Sequence, residues 1–402
     1  MIEIKGKHNR AECFTDEIEA TAREQIKALC NDRTFAQSKI RIMPDVHAGI
    51  GCTIGTTMTI GEKAAPSMVG VDIGCGMYTV CLGDFDPDLD AFDKEAHRLP
   101  SGNGVWDTPY ESFDFSRLAC HSSLKKEGYC ARGLGSLGGG NHFIELDRDD
   151  EGLLYLVIHS GSRYLGATVA EHYVDEGVAQ AAGKEEYLAE REKTIRTYKQ
   201  EGKEGQIQST LRRLDAEYQC RRNVVRREHA CVSGQALKDY LQDVGVCIDY
   251  ARRNREILAE CLLKAIGAEP QDAFHTIHNY IDLEKGILRK GAISADKGER
   301  VLIPINMRDG SLLCVGKGNE DWNYSAPHGA GRLLSRSVAR RILTMEEYRK
   351  EMQGIYSTTV CPATIDESPM AYKDLHDITR NIRPTCTVLR RLYPIYNFKA
   401  GS

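Results

Sequence analysis

The chain has 402 residues, 41% of them hydrophobic and 28% charged, and a formal net charge of −5. That length can support a large core, and the acidic balance excludes a whole-protein electrostatic pull toward nucleic acid, so any such binding must come from local basic surface. No apolar run reaches the ~18 residues of a membrane helix, the N-terminal stretch lacks a signal-peptide core, and the 14 cysteines are scattered with no CxxC pair, which excludes zinc-ribbon and disulfide-framework spacings.

In chain order, TDEIEATAREQIKALCN (15–31) predicts an amphipathic helix, with Asp16 as its cap and Glu19 at the capping-box spacing. Residues 38–81 switch to β-branched runs broken by Gly and Pro, which predict short buried strands and tight turns. Residues 84–118 are acidic and then irregular, and residues 131–166 return to Gly-rich loops and strands. From about 167 to 266 the pattern is helical and highly charged, read as an excursion from the core. Residues 273–316 mix strand and loop, and 329–353 read as helix. With no repeat and no linker, the expectation is one α+β domain over 1–402 that carries this charged helical insertion. A cytoplasmic protein is expected, its cysteines mostly small buried hydrophobes.

Groups able to bind metal recur in one setting, a glycine-flanked loop or the end of an apolar run. They are Asp45 and His47 in PDVHAG, Asp72 and Cys75 in VDIGCGM, Asn141, His142 and Glu145 in GGGNHFIEL, His159 and Arg163 in LVIHSGSR, His275, His278 and Asn279 in HTIHNY, and His328 and Arg332 in APHGAGR. Each alone has a plain structural explanation: a core histidine, a packed cysteine, an Asx turn. Six in one chain point to a shared site at the rim of a core. Mixed O, S and N donors suit Mn, Fe, Co or Zn, and two metals with a Gly-rich cradle and arginines suit chemistry at phosphate. The absence of GxxxxGK[ST] argues against a P-loop nucleotidase. His328, with Gly329 and Gly331 beside it and Arg332 at an expected helix start, is either a nucleophile toward phosphorus or one more metal-binding histidine.

GVDIGCGM, GGGNHFIE, HSGSR, HNY followed by RKGA (289–292), HGAGR and MAYKDL (370–375) together resemble the RtcB-type RNA ligase family, from about Ile40 to the C-terminus and most weakly near 180–235. The resemblance implies an α+β core of packed β-sheets surrounded by helices. It implies an enzyme that uses GTP and two Mn²⁺ to join a 3′-phosphate or 2′,3′-cyclic phosphate RNA end to a 5′-hydroxyl end, in RNA repair or tRNA splicing, through a histidine–GMP intermediate. It assigns His328 as the nucleophile and Asp72, Cys75, His142, His159 and His278 as metal ligands, with the Cys75 thiolate bridging. It places Asn141, Glu145, Asn306, Gly329, Ala330, Gly331, Tyr372 and Lys399 around the nucleotide, and Arg163 and Arg332 on phosphates. An archease-like activator is compatible with it, and a monomer is favoured. Two departures mark a specialised branch: Pro327 stands where a serine often precedes the histidine, and 304–307 read PINM where the family often has PGSM, which puts Asn306 in place of a serine. Of the basic clusters, 332–341 adjoins His328 and is the better candidate for RNA; 212–227 is mixed with acidic residues and reads as a solvated helix face. The competing reading of the same ligand set is a metal-dependent phosphoesterase without a covalent nucleotide.

Overall fold

The computed structural model describes residues 1–400. The β-branched and Gly-rich runs pair into two large sheets. One has six strands, in the order Ile2–Lys5, Arg10–Cys13, Ile40–His47, Ile54–Thr59, Ile287–Lys290 and Asn279–Asp282. The other has seven, in the order Asp272–Ile277, Gly76–Gly83, Leu154–Ser160, Phe143–Asp149, Cys386–Lys399, Gly310–Gly316 and Arg300–Asn306. Every pairing in the seven-stranded sheet is antiparallel. Its edges meet where Leu302 N donates to Thr276 Oγ1 at 3.2 Å, which nearly closes a barrel.

Alternation along the strands sorts the side chains. Inside the barrel, Met77, Phe143, Tyr155, Val157, Leu302, Leu313 and Leu392 pack together. On the outer face Ile144, Leu146, Leu156 and Ile158 pack against Leu258 and Leu262 of the helix Gly234–Ile266 and Phe92 of the helix Leu89–Arg98. Leu154–Ser160 is buried along its whole length, which is why LYLVIHS reads as a continuous apolar run.

The helix Gly234–Ile266 is central to the site. Its buried positions Tyr240, Val244, Cys247, Tyr250, Asn254, Leu258 and Leu262 recur every three or four residues, forming one face. It stops at Gly267, whose φ of 66° is the left-handed cap conformation. Truncating Leu258, fully buried, to Ala costs about 2–5 kcal/mol. The charged stretch before it forms two helices, Lys184–Gln200 and Ile207–Val224, joined by stacked Tyr187 and Tyr218 at 4.2 Å. Thr194 and Tyr218 are their buried residues. The basic run 212–227 thus lies on an exposed helix, while Gly234–Ile266 is deep in the core.

Three local expectations need correction. The first helix is Ala20–Cys30, preceded by an extended Glu19 with no side-chain cap; Asp16 instead pairs with Arg380 at 2.8 Å. A tertiary ion pair takes the carboxylate that the local rule assigned to a cap. The 84–118 stretch contains a helix, Leu89–Arg98, whose cap Asp88 accepts from Ala91 N. Arg332 does not start a helix; Ser335 caps the helix Arg336–Ile342, and a second short helix follows at Met345–Glu351.

Candidate metal and nucleotide site

The metal-capable residues from four separate motifs converge on one end of the barrel. Asp72 and Cys75 sit on the loop before the strand Gly76–Gly83, and His142 just before Phe143–Asp149. His159 lies near the end of Leu154–Ser160, and His278 in the crossing between the two sheets, after Asp272–Ile277. Gly161 is required for this approach, because a Cβ there would run into the Asp72 carboxylate.

These side chains form a row. Asp72 Oδ2 is 3.0 Å from His142 Nε2. Cys75 Sγ is 3.4 Å from His142 Nε2 and 3.3 Å from His159 Nε2. His159 Nε2 is 3.0 Å from His278 Nε2. The donor atoms of Cys75, His142 and His159 all lie within 4.8 Å of one another, and all three residues are buried.

Hydrogen bonds on the far side of two rings fix what faces the centre. His142 Nδ1 meets Leu137 O at 2.9 Å and His159 Nδ1 meets Asn141 O at 3.1 Å. A carbonyl only accepts, so both Nδ1 atoms carry the proton and both Nε2 atoms present lone pairs inward. Burial, with the neighbouring histidines, holds His159 and His278 neutral, well below the usual imidazole range. Burial opposes ionisation of Asp72, and the nearby Arg163 charge favours it. Burial and the Asp72 charge push the Cys75 thiol up, and its single proton can satisfy only one of two facing nitrogens. More lone pairs than protons converge here, and His278 Nδ1 is buried with no partner. A cation resolves that arrangement, and this mixed set fits a borderline divalent metal.

The loops are anchored from behind by two residues that the sequence reading did not single out. Asn254 accepts from Gly135 N and Ser136 N at 2.7 and 2.9 Å and donates to Ser136 O and Ser160 Oγ at 3.0 and 2.9 Å. Arg255 donates to Gly74 O and Ser160 O at 2.9 and 2.7 Å. Both are fully buried. A polar pair on the apolar face of a long helix was the available signal.

His328 stands at the other end of the row, its ring 4.6 Å from that of His278. Its Nδ1 is 2.6 Å from Asp45 Oδ2, which also accepts from His328 N at 3.1 Å. Asp45, grouped from sequence with the candidate ligands, is therefore the partner of His328. Gly331 has φ 75°, and a Cβ there would collide with the Asp45 backbone. Of the other candidates, His47 bonds the Asp45 carbonyl at 2.8 Å. His275 lies apart, stacked on Tyr78 and 3.3 Å from Glu256. Asn279 braces the loop by donating to Asp72 O.

A cavity of about 980 Å³ opens at the His328 end. Asn141, Glu145, Asn306, Gly329, Ala330, Gly331, Arg332, Tyr372 and Lys399 line it together with His159 and His328. Asn306 commits its amide to its own turn: Nδ2 donates to Asp309 Oδ2 and Oδ1 accepts from Arg308 N and Asp309 N. Burial pushes the Glu145 carboxyl up despite Asn397 and Lys399. At the Asp72 end a second cavity of about 320 Å³ is lined by Asp72, Asn141, His142 and Arg163. Arg163 is not in the large cavity. It holds a left-handed φ of 56° and donates to Gly102 O at 2.7 Å, the kind of strained position that functional sites keep.

The family model described as tRNA-splicing ligase RtcB matches residues 25–102 and 115–400. The chain belongs to the RtcB family. It is 28% identical to the RNA-splicing ligase RtcB of Escherichia coli (strain K12), an alignment that covers 89% of each chain. It is 28% identical to the tRNA-splicing ligase RtcB of Aeropyrum pernix, over 84% of this chain and 83% of that one. The RNA-splicing ligase RtcB2 of E. coli (strain ATCC 25922) is 26% identical over 95% and 93%. The match takes in the seven-stranded sheet, four strands of the six-stranded one and every residue of the row from Asp72 to His328. None of the described helices is long and apolar enough to cross a membrane.

Proposed function

We propose that this RtcB-family protein is an RNA ligase that joins a 3′-phosphate or 2′,3′-cyclic phosphate end to a 5′-hydroxyl end, with GTP as guanylyl donor. The observation that carries the reading is the pairing of His328 with buried Asp45 beside a row of metal-type ligands. Asp45 keeps the proton on Nδ1 and leaves Nε2 as the nucleophilic atom. Nε2 forms the bond to the α-phosphorus of GTP and pyrophosphate leaves. Asp45 then faces the positive charge of the N-phosphorylated ring. A 2′,3′-cyclic end is first opened by water, which bonds to phosphorus as the P–O2′ bond breaks; an oxygen of the RNA 3′-phosphate then displaces His328 and takes the guanylyl group. The 5′-hydroxyl oxygen attacks the activated 3′-phosphorus and GMP leaves.

Asp72, Cys75, His142, His159 and His278 would hold two Mn²⁺. The ions supply charge neutralisation at phosphate and orientation of the attack. Asn141, Glu145, Tyr372 and Lys399 would bind the guanylate, with the backbone of 329–331 around it, and Arg163 and Arg332 would meet phosphates. We take the chain as one catalytic domain; of the stretch from about 167 to 266 expected as an excursion, 184–224 forms the charged helical insertion, while Gly234–Ile266 packs in the core. Repair of cleaved RNA is the role that the Pro327 and Asn306 departures favour, in the cytoplasm, by a monomer served by an archease-like activator.

The test is incubation with Mn²⁺ and GTP labelled at the α-phosphate. A protein-bound label that acid releases, and that His328→Ala abolishes, supports the ligase. No label from a protein shown to bind Mn²⁺ would move the assignment to a phosphoesterase.

A further inference from the structure

Glu367 is absent from the sequence motifs that point to the nucleotide, and it does not line the large cavity. It lies behind the wall, at the end of the turn Pro362–Glu367, only 2% exposed. Four donors from that wall converge on its two oxygens. Oε2 receives Lys399 Nζ at 2.6 Å and Tyr372 OH at 2.5 Å. Oε1 receives Arg336 Nη1 at 2.6 Å and Arg332 Nη1 at 3.2 Å. Burial works against its charge, but Lys399, Arg336 and Arg332 more than offset it and hold the carboxyl at about 2. Lys399 is further caged by the rings of Phe143 at 5.4 Å and Tyr372 at 5.9 Å.

A lysine ammonium is a point charge on a flexible stem and has no direction of its own. Here one of its protons is committed to Glu367, which orients the other two. The Tyr372 hydroxyl is spent in the same way, and Arg332 lies over its ring at 5.1 Å. We propose that Glu367 is a positioning residue that aims Lys399 into the nucleotide cavity and so sets its purine selectivity. The inference rests on the nucleotide reading above. Guanine presents O6 and N7 as acceptors on one edge, whereas adenine replaces O6 by a donating amino group. A fixed cation discriminates between them; a swinging one does not.

The experiment is a double-mutant cycle of Glu367→Gln and Lys399→Met, read as histidine labelling with GTP and with ATP under single turnover, with the melting temperature of each variant alongside. Glu367→Gln is expected to raise the half-saturating GTP concentration about tenfold or more and to lower the GTP:ATP preference at least about tenfold. The double variant is expected to be within about twofold of Lys399→Met alone, because Glu367 acts through Lys399. Additive losses with an unchanged GTP:ATP preference would show a purely structural buttress and overturn the proposal. Should the amide variant not fold, Glu367→Asp, which keeps the charge one methylene short, goes through the same cycle against the same two outcomes. If the wild-type protein takes label from neither nucleotide, the ligase reading fails first and this inference falls with it; label on wild type with an additive cycle sinks this inference alone.

Discussion

Replacing Asp45 by Asn isolates the charge that faces His328. Asp45 is fully buried, and its Oδ2 accepts both Nδ1 and the backbone N of His328. The backbone N–H pins an oxygen to that side, so the Asn carbonyl takes over both bonds and the ring keeps its tautomer. What is lost is the negative charge opposite a ring that turns cationic when Nε2 bonds phosphorus. A charge pair at about 4 Å is worth about 4 kcal/mol at the effective dielectric of a protein site, which is a slowing of roughly a thousandfold. The new amide nitrogen falls where Asp45 Oδ1 is buried without a partner, and an unsatisfied donor there costs about 1–3 kcal/mol of stability. Rapid-quench labelling with α-labelled GTP measures the first effect and urea unfolding the second. Labelling within about threefold of wild type, with His328→Ala inactive, would refute the idea that Asp45 stabilises the charged ring.

Further outcomes follow from the same geometry. Mn²⁺ at about a hundred times its dissociation constant should stabilise the protein by about 2.7 kcal/mol, a chelator should remove this, and Cys75→Ala should lose most of it in scanning calorimetry. Asn254→Ala, which strips five buried bonds from the loops carrying the candidate ligands, should cost about 3–5 kcal/mol in urea and weaken Mn²⁺ binding. Gly331→Ala meets both a backbone collision and a left-handed φ, and should reduce labelling more than it reduces metal affinity. For Glu367, a carboxyl held at about 2 in the folded protein against 4.5 otherwise contributes on the order of 3 kcal/mol. Because the folded value is the lower one, that stability is complete above pH 4.5 and disappears as pH falls toward 2. The unfolding free-energy gap between wild type and Glu367→Gln should close over that window.

What the sequence disclosed depended on how local the cause was. The loop around Asp72 and Cys75 stood out because a carboxylate and a thiol have no packing reason to sit among Gly70, Gly74 and Gly76, and the structure puts both in the ligand row. The strands at 143–149 and 154–160 were legible from apolar stretches set between Gly-rich loops. The helix Leu89–Arg98 carried a readable signal, with Leu89, Phe92 and Ala96 at helical spacing, but its three acidic residues, Asp90, Asp93 and Glu95, obscured it. The Asp16 cap failed because Arg380, 364 residues away, competes for the carboxylate. Asp45 looked like a metal ligand because a carboxylate near histidine in a Gly loop is indistinguishable by type from a histidine's orienting partner. Only the contact across 283 residues separates them.

Glu367 shows the limit most clearly. Its own neighbours in DESP are turn-type residues, and the motif MAYKDL that follows does not disclose that Glu367 is buried. Its burial is stable only because three cations arrive from elsewhere: two from the segment after His328 and one from the final strand. Removing water from any one of these charges alone would be costly; bringing them together on one carboxylate offsets that cost and fixes the geometry. The two ends of the cavity thus solve opposite problems. At the ligand row, burial keeps imidazoles neutral and leaves lone pairs in excess, which calls for a cation. At Glu367, burial is matched by charges already present, which leaves oriented donors in excess and calls for an acceptor-rich base. A guanine nucleotide, acceptor-lined at O6 and N7, meets the second demand, and its anionic phosphates suit the cations that would meet the first, with His328 between them.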